Sequence, residues 1–332
     1  MNGEQTLIDR IRRAIPSQSR RRARSPAGLR LGIGDDAALI SPRCGLDSVI
    51  TCDAFLENVH FLPDVHSPGS VGYKSLARAT SDLAAMGAAP RYFLLTLALP
   101  ARRTGQWLDA FLAGMSRAAR EYGLLLIGGD TSCQPTVAIS ITVIGEIAPG
   151  AALTRSGARP GDRIFVSGTL GAAQLGLQLI RRGLHRQTRW KPFLRQHCYP
   201  SIRIFLGQFL AVRHLASAMM DLSDGLSTDL SRLCATSRVG ARIWLDHLPA
   251  VAVPPSLRTR GFDPITIALH GGDDYELLFT VPRRLAKKIP AQHRGVRLTP
   301  IGEITRERKI SLVGKDDRAT PLLSLGWDHF RR

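Results

Sequence analysis

Aspartate recurs in this chain in five short turns flanked by glycine or serine, and this placement constrains the fold more than any other feature. The turns are Gly32-Ile33-Gly34-Asp35-Asp36, Ser81-Asp82, Gly128-Gly129-Asp130-Thr131, Asp221-Leu222-Ser223-Asp224-Gly225 and Gly271-Gly272-Asp273-Asp274. Asp53, in Thr51-Cys52-Asp53, ends a predicted strand in the same manner. Any one of these alone is ordinary turn and cap chemistry. Carboxylates gathered at the low-dielectric ends of strands repel one another unless cations lie between them. Short, stiff oxygen ligands suit Mg²⁺, which takes one or two carboxylates and completes its shell with phosphate oxygens. The neighbouring glycines let a phosphate approach the backbone. Taken together, the turns point to a metal–phosphate site.

The chain between the turns alternates strand and helix. Leu7, Ile8, Ile11 and Ile15 recur at helical spacing and predict a helix over 4–15. Val71, Leu76, Ala79, Leu83 and Met86 predict another over 70–86, stopped by Gly87. A third is expected over 106–122. Strands are expected over 49–52, 92–99 and 124–127, with β alternation over 137–147. The Gly-, Pro- and Ala-rich stretch 148–162 reads as a domain junction, which divides the chain into 1–148 and 149–332. Beyond it come a strand over 163–167, helices over 169–182 and 202–218, a short strand into Asp221, a helix from Thr228 and a strand over 276–281. The fold class is therefore α/β (α+β), and 332 residues suffice for two cores.

Composition narrows the function classes. Hydrophobic residues make up 44% and charged residues 22%, which excludes a disordered, collagen-like or coiled-coil chain. No apolar run is long enough to span a bilayer, and the opening MNGEQTLIDRIRR lacks the apolar core of a secretory signal. Five cysteines with no CxxC spacing fit a reducing cytoplasm better than a disulfide scaffold or zinc module. The net charge of +18 raises nucleic acid as a partner, but 39 of the 45 basic residues are arginines spread along the chain. Arg20, Arg21, Arg22 and Arg24 form the one cluster, in a Pro/Ser-bounded loop read as solvated and dispensable for catalysis. Lys74, on the helix over 70–86, has two readings, a contact to phosphate and a solvated lysine, of which the second is preferred. Gly32-x-Gly34-x-x-Ala37 matches a loose dinucleotide fingerprint, but Asp35 and Asp36 would aim two carboxylates at a pyrophosphate. The P-loop, protein-kinase and G-x-S-x-G signatures are absent from the sequence.

The turns together with their neighbours resemble the thiamine-monophosphate kinase family, within the wider group of aminoimidazole ribonucleotide synthetase and selenophosphate synthetase. The resemblance runs from Glu4 to Phe330. It is carried by GIGDDAA (32–38), Asp53 with His60-Phe61, SDLAAMGA-P (81–90), IGGDT (127–131), LTRSGA-PGD (153–162), DLSDGL (221–226), GGDDYEL (271–277) and GWDHF (326–330). It implies a two-domain fold with an N-terminal sheet domain that dimerises and a C-terminal α/β domain that closes over nucleotide. It implies ATP as co-substrate and several Mg²⁺ ions, with thiamine phosphate converted to thiamine diphosphate.

Position by position, the resemblance assigns Asp36, Asp53, Asp82, Asp130, Asp221 and Asp224 to Mg²⁺, with Thr51 and Cys52 adding side-chain or backbone oxygens. It assigns Tyr122, Gly129, Asp130, Arg155 and Ser223 to ATP, and His60, Asp273 and Trp327 to thiamine phosphate. Cys52, Thr80 and Asp273 stand where the family more often has Thr, Asn and Glu. The acceptor is a phosphate oxygen, so no acid–base residue is required. Two other functions stay open at this level. One is another ATP-dependent synthetase of the same superfamily, and the other a basic nucleic-acid-binding protein on an inactive enzyme fold.

Overall fold

The computed structural model describes residues 4–16, 28–33, 36–328 and 330. The Arg20–Arg24 cluster and the Gly34-Asp35 pair lie outside the described residues. The chain divides into two compact units, one of residues 1–83 with 88–150 and one of residues 84–87 with 151–332.

The first unit runs α1 (Glu4–Ala14), β1 (Leu29–Leu31), β2 (Leu39–Ile40), β3 (Asp47–Leu56), α2 (Pro68–Met86), β4 (Ala89–Leu99), α3 (Gln106–Tyr122), β5 (Leu125–Cys133) and β6 (Ala138–Ile147). Its main sheet has the order β3-β6-β4-β5, antiparallel except for the parallel pair β4 and β5. One face is apolar and buried: Val49 and Phe55 of β3, Leu95 and Leu97 of β4, and Ile141 and Val143 of β6. Leu76 and Leu83 of α2 and Leu108, Phe111 and Met115 of α3 are buried with them. The alternate residues Ile50, Cys52 and Ala54 of β3 are exposed. This two-residue alternation is what one covered and one open face require. At one end of the open face the β1–β2 ribbon brings Leu29, Ala38 and Ile40 against Tyr92, Ile127 and Ile144.

Four readings of the first unit need correction. Ser81-Asp82, read as a turn, lies inside α2, and Asp53, read as the end of a strand, pairs with Ile141 within β3, which runs on to Leu56. The helix over 70–86 was expected to bury one face, but α2 is buried around most of its circumference, and Lys74 is 2% exposed instead of solvated. Its small residues, Gly, Ser, Ala and Thr, let neighbours close in on several sides. The strand expected over 124–127 does not end in a turn at Gly128-Gly129-Asp130. It continues as β5 to Cys133, with Gly129 opposite Leu95 and Asp130 opposite Thr96.

The second unit runs β7 (Arg163–Ser167), α4 (Ala172–Arg181), α5 (Lys191–Cys198), α6 (Ile204–Val212), β8 (Ala218–Asp221), α7 (Leu226–Ser237), β9 (Gly240–Trp244), α8 (Pro255–Arg258), α9 (Pro264–His270), β10 (Leu277–Val281), β11 (Gln292–His293), β12 (Val296–Thr305), β13 (Ile310–Val313) and β14 (Ala319–Pro321). An eight-stranded sheet has the order β14-β13-β9-β12-β7-β10-β8, with β11 beside β12. Leu226, Leu230 and Leu233 of α7 pack with Ile164, Val166, Met220, Ile243 and Leu278 of the sheet. A second apolar cluster joins Leu175 and Leu179 of α4 to Trp190, Phe262 and Ile267. The helix expected over 202–218 is shorter, because α6 ends at Val212 and the chain turns before β8. Among the described residues no helix is long and apolar enough to cross a membrane.

Candidate active site

The first unit carries a cleft of about 910 Å³ on the open side of its sheet. Gly128, Gly129 and Asp130 of β5 line it, with Asp36, Thr142 of β6 and Ile8 of α1. Gly129 is decisive for the backbone here. Its φ is +152°, and a Cβ would stand 1.9 Å from the Leu95 carbonyl oxygen. Only a residue without a side chain lets β5 approach β4 so closely, and the register shift between Phe93 and Leu94 marks the same spot. Asp36 and Asp130 are both exposed. The structure thus brings Asp36, Gly129 and Asp130 to one cleft.

The other expected ligands of this unit stand around β3 and α2. Thr51 donates its hydroxyl to Asp82 Oδ2 at 2.5 Å, joining strand to helix. Arg78, one helical turn before Asp82, donates from Nε to Asp53 Oδ2 at 2.8 Å. Cys52 points to the exposed side, its sulfur 3.4 Å from Ser140 Oγ. Tyr122 and His60 are held by neighbours of their own. The Tyr122 hydroxyl lies 2.9 Å from that of Tyr73, and burial pushes Tyr73 up to about 12. Tyr122 is not among the residues lining the cleft. His60 accepts from the Leu56 amide at Nδ1 (2.9 Å) and stacks on Phe55, which places the proton of the neutral ring on Nε2.

In the second unit the turns after β8 and before β10 are hydrogen-bonded to each other. The Asp273 amide donates to the Ser223 carbonyl at 2.8 Å and the Tyr275 amide to the Leu222 carbonyl at 2.9 Å. Gly272 permits this contact, since a Cβ there would lie 2.6 Å from the Ser223 carbonyl oxygen. The C-terminal strap docks on the same turn, with the Trp327 amide donating to the Asp224 carbonyl at 2.9 Å. Ser223, Asp224, Asp273 and Trp327 are therefore neighbours, while Asp221 is buried at the end of β8. The Trp327 side chain is 43% exposed. Arg155 is exposed, and its carbonyl accepts from Ser237. Asp273 takes a positive φ of 67° and accepts from the Tyr275 hydroxyl at 2.7 Å.

Around these turns stand three carboxylates to which the sequence reading gave no ligand role, although it named Asp274 in its turn. Asp229 is fully buried and accepts from the amides of Asp224 and Gly225 at 3.0 and 3.1 Å. Burial first, and then the charge of Asp224, push it up to about 7. Asp274 accepts from the amides of Gly171 and Ala173 at the start of α4, and burial pushes it up to about 8. Glu276 is buried against Arg203 and Ser167. Arg232 reaches both Asp224 and Asp229. The Asp229-Arg232 spacing of three on a helix was a readable signal. The Arg78–Asp53 pair joins α2 to β3, the Arg203–Glu276 pair joins the residues just before α6 and β10, and neither had one.

All the ligands named for Mg²⁺ present oxygen, or in Cys52 a backbone oxygen, on short stems. That donor chemistry fits a hard cation. Among the described residues no three His, Cys, Asp or Glu side chains are gathered as a ready cage. Mg²⁺ bound with a polyphosphate needs only one or two carboxylates, as Asp36 and Asp130 provide in the cleft.

A four-stranded sheet with an exposed Gly-Gly-Asp strand, followed by a larger mixed sheet, is the arrangement of a known class. The N-terminal domain of AIR synthase related proteins matches residues 34–147 and their C-terminal domain matches residues 159–315. Within that class the chain belongs to the thiamine-monophosphate kinase family. Thiamine-monophosphate kinase of Escherichia coli strain K12 is 39% identical over 90% of this chain and 92% of its own length. The crystal structure of thiamine-monophosphate kinase from Stenotrophomonas maltophilia K279a is 37% identical, with a TM-score of 0.80 over 95% of this chain and 96% of that one. AaThiL complexed with AMPPCP and TMP is 31% identical, with a TM-score of 0.75 over 99% of this chain and 97% of that one.

Proposed function

We propose that this chain transfers the terminal phosphoryl group of ATP to thiamine phosphate, giving ADP and thiamine diphosphate, as a cytoplasmic homodimer. The observation that carries the reading is the cleft of about 910 Å³ in which Gly129 and two exposed carboxylates meet. Its volume suits a nucleotide, and its floor lets phosphates reach backbone amides. Family membership supplies the acceptor.

Mg²⁺ would neutralise the two polyanions and the charge developing on the transferring group. In the first unit Asp36, Asp53, Asp82 and Asp130 would hold it, with Thr51 and Cys52 adding oxygens, and the resemblance names Asp221 and Asp224 as the candidate ligands within the second unit. The chain's own residues then have three tasks. Gly129 lets a phosphate approach the backbone of the first unit, where Asp130 would meet the nucleotide through a bound cation, and in the second unit Ser223 and exposed Arg155 are the candidate phosphate contacts. Trp327 offers an exposed ring on which a cationic heterocycle can stack, while Asp273, and His60 from the first unit, supply polar contacts. No residue has to remove a proton. The second pKa of a phosphate monoester is about 6, so the attacking oxygen is already ionised at neutral pH.

The proposed homodimer uses the β3 edge of the sheet, where Ile50 is 65% exposed. An apolar side chain on an unpaired edge is a favourable place for a second copy.

The deciding experiment incubates the protein with ATP, Mg²⁺ and thiamine phosphate and separates the products. Thiamine diphosphate and ADP should form in equal amounts. Free thiamine should not react, because its alcohol is not ionised at neutral pH and the reading assigns no residue to take its proton. Comparable turnover of free thiamine would sink the reading. Sedimentation should give the mass of two chains, and a single-chain mass would remove the dimer.

A further inference from the structure

The proposed reaction assigns Asp53 to Mg²⁺ but gives no role to Arg78, which is paired with it. Arg78 Nε donates to Asp53 Oδ2 at 2.8 Å and Nη2 reaches Oδ1 at 3.4 Å, so one guanidinium engages both carboxylate oxygens. The two side chains are only 15% and 28% exposed, less screened than a surface pair. The Arg78 guanidinium carbon also lies 5.6 Å from the centroid of the Phe55 ring, two residues along the same face of β3. Phe55 itself is 2% exposed. Strand and aromatic ring therefore hold the guanidinium from two sides, at a carboxylate assigned to a metal.

A divalent ion arriving alone at Asp53 meets this positive charge. Either the guanidinium stays and repels it, or the guanidinium must leave both carboxylate oxygens. A nucleotide changes the balance, because its phosphates add ligands for the ion and a new anionic partner for the arginine. We propose that Arg78 is a resident counter-ion of Asp53 which makes divalent-cation binding at that carboxylate depend on nucleotide. The proposal rests on the reading of Asp53 as a Mg²⁺ ligand. Arg78 acts through Asp53 and is a positioning residue. Linkage requires that the dependence be mutual: the ion tightens nucleotide by the same factor as nucleotide tightens the ion.

The test titrates Mn²⁺, visible by electron paramagnetic resonance, into the full chain with and without ATP. Four proteins are compared: wild type, R78M, R78K and D53N. R78M keeps an apolar stem over Phe55 and removes the charge. It should bind Mn²⁺ alone about tenfold more tightly than wild type, and the tightening by ATP should shrink by the same factor, a coupling of ordinary size. R78K, with charge but without the paired donors, should fall between. In EDTA, R78M should melt below wild type, because a half-buried carboxylate loses its partner, and it should recover more on adding Mn²⁺.

D53N separates the proposal from the reading beneath it. If D53N weakens Mn²⁺ binding but R78M binds Mn²⁺ alone no more tightly than wild type, Arg78 is a structural brace and the proposal is overturned. If D53N leaves Mn²⁺ binding in the presence of ATP unchanged, the assignment of Asp53 fails and takes the proposal with it. Should R78M not fold, R78K decides: Mn²⁺ affinity equal to that of wild type overturns the proposal.

Discussion

Gly128-Gly129-Asp130 and Gly271-Gly272-Asp273-Asp274 begin alike and do different work. In the first unit the motif is a strand, paired along β4, and Asp130 faces the cleft exposed. In the second it is a loop before β10, where Asp273 takes a positive φ and Asp274 is buried beneath α4. The glycines decide which outcome follows. Gly129 lets a strand carbonyl come close, whereas Gly272 lets the Ser223 turn come close. The contrast extends beyond the motif. Asp36 and Asp130 are exposed in the first unit, while Asp221, Asp229, Asp274 and Glu276 are all buried in the second. An Asp in a Gly-rich segment can thus stay open to solvent or become a brace, and burial and hydrogen-bond partners tell the two apart.

Substitutions can break or sharpen this contrast. The largest effect belongs to Gly129→Ala, which forces a Cβ into the Leu95 carbonyl. It should cost about 2 kcal/mol of stability, as overpacking does, and at least ~100-fold in turnover, read by urea unfolding and product assay. Next are Asp130→Asn and Asp82→Asn. Turnover should fall ~100-fold in each, because the charge that holds the metal is lost. Without metal, both should melt at or above wild type, Asp82→Asn by up to ~1 kcal/mol, since like charge is relieved. A clear drop in melting temperature in EDTA would make Asp82 a brace like Asp274.

Asp274→Asn should do the reverse. Burial raises the Asp274 pKa to about 8 from 3.8, so the folded state holds the proton more tightly than the unfolded chain. Between pH 4 and pH 8 the unfolded chain ionises first, and this residue's contribution to stability falls as pH rises. Wild type should exceed Asp274→Asn by about 1–3 kcal/mol at pH 5, where a proton-bearing Asp still serves Gly171 and Ala173, and by less at pH 8. Urea curves at the two pH values test this, and a margin that widens with pH would contradict the burial argument. The smallest effect is expected of Cys52→Thr on the exposed side of β3, a change in turnover of no more than about twofold.

Much of the fold was legible because periodicity reports burial. The helix over 106–122 coincides with α3, and the alternation over 137–147 appears as β6 with every second residue buried. The strands β9 and β11 to β14 had no such clarity. β11 and β14 have two and three residues, β9 takes its partners β12 and β13 from far along the chain, and pairing leaves little trace in one strand's own sequence. Lys74 was misjudged for a related reason. Spacing along a helix identifies its most apolar face but not how many faces neighbours will cover.

The recurrence of aspartate beside glycine and serine, the class of fold and the family were legible in the sequence itself, because residue chemistry and periodicity act over a few residues, whereas the need for glycine at 129 and 272 comes from the Leu95 and Ser223 carbonyls that only packing brings close. Which carboxylates stay open, which become braces and which acquire an arginine was decided by tertiary structure. Arg78 meets Asp53 and Arg203 meets Glu276 across 25 and 73 residues of chain. Such pairs form only when separate elements pack, and packing also sets the desolvation that makes a carboxylate costly to ionise.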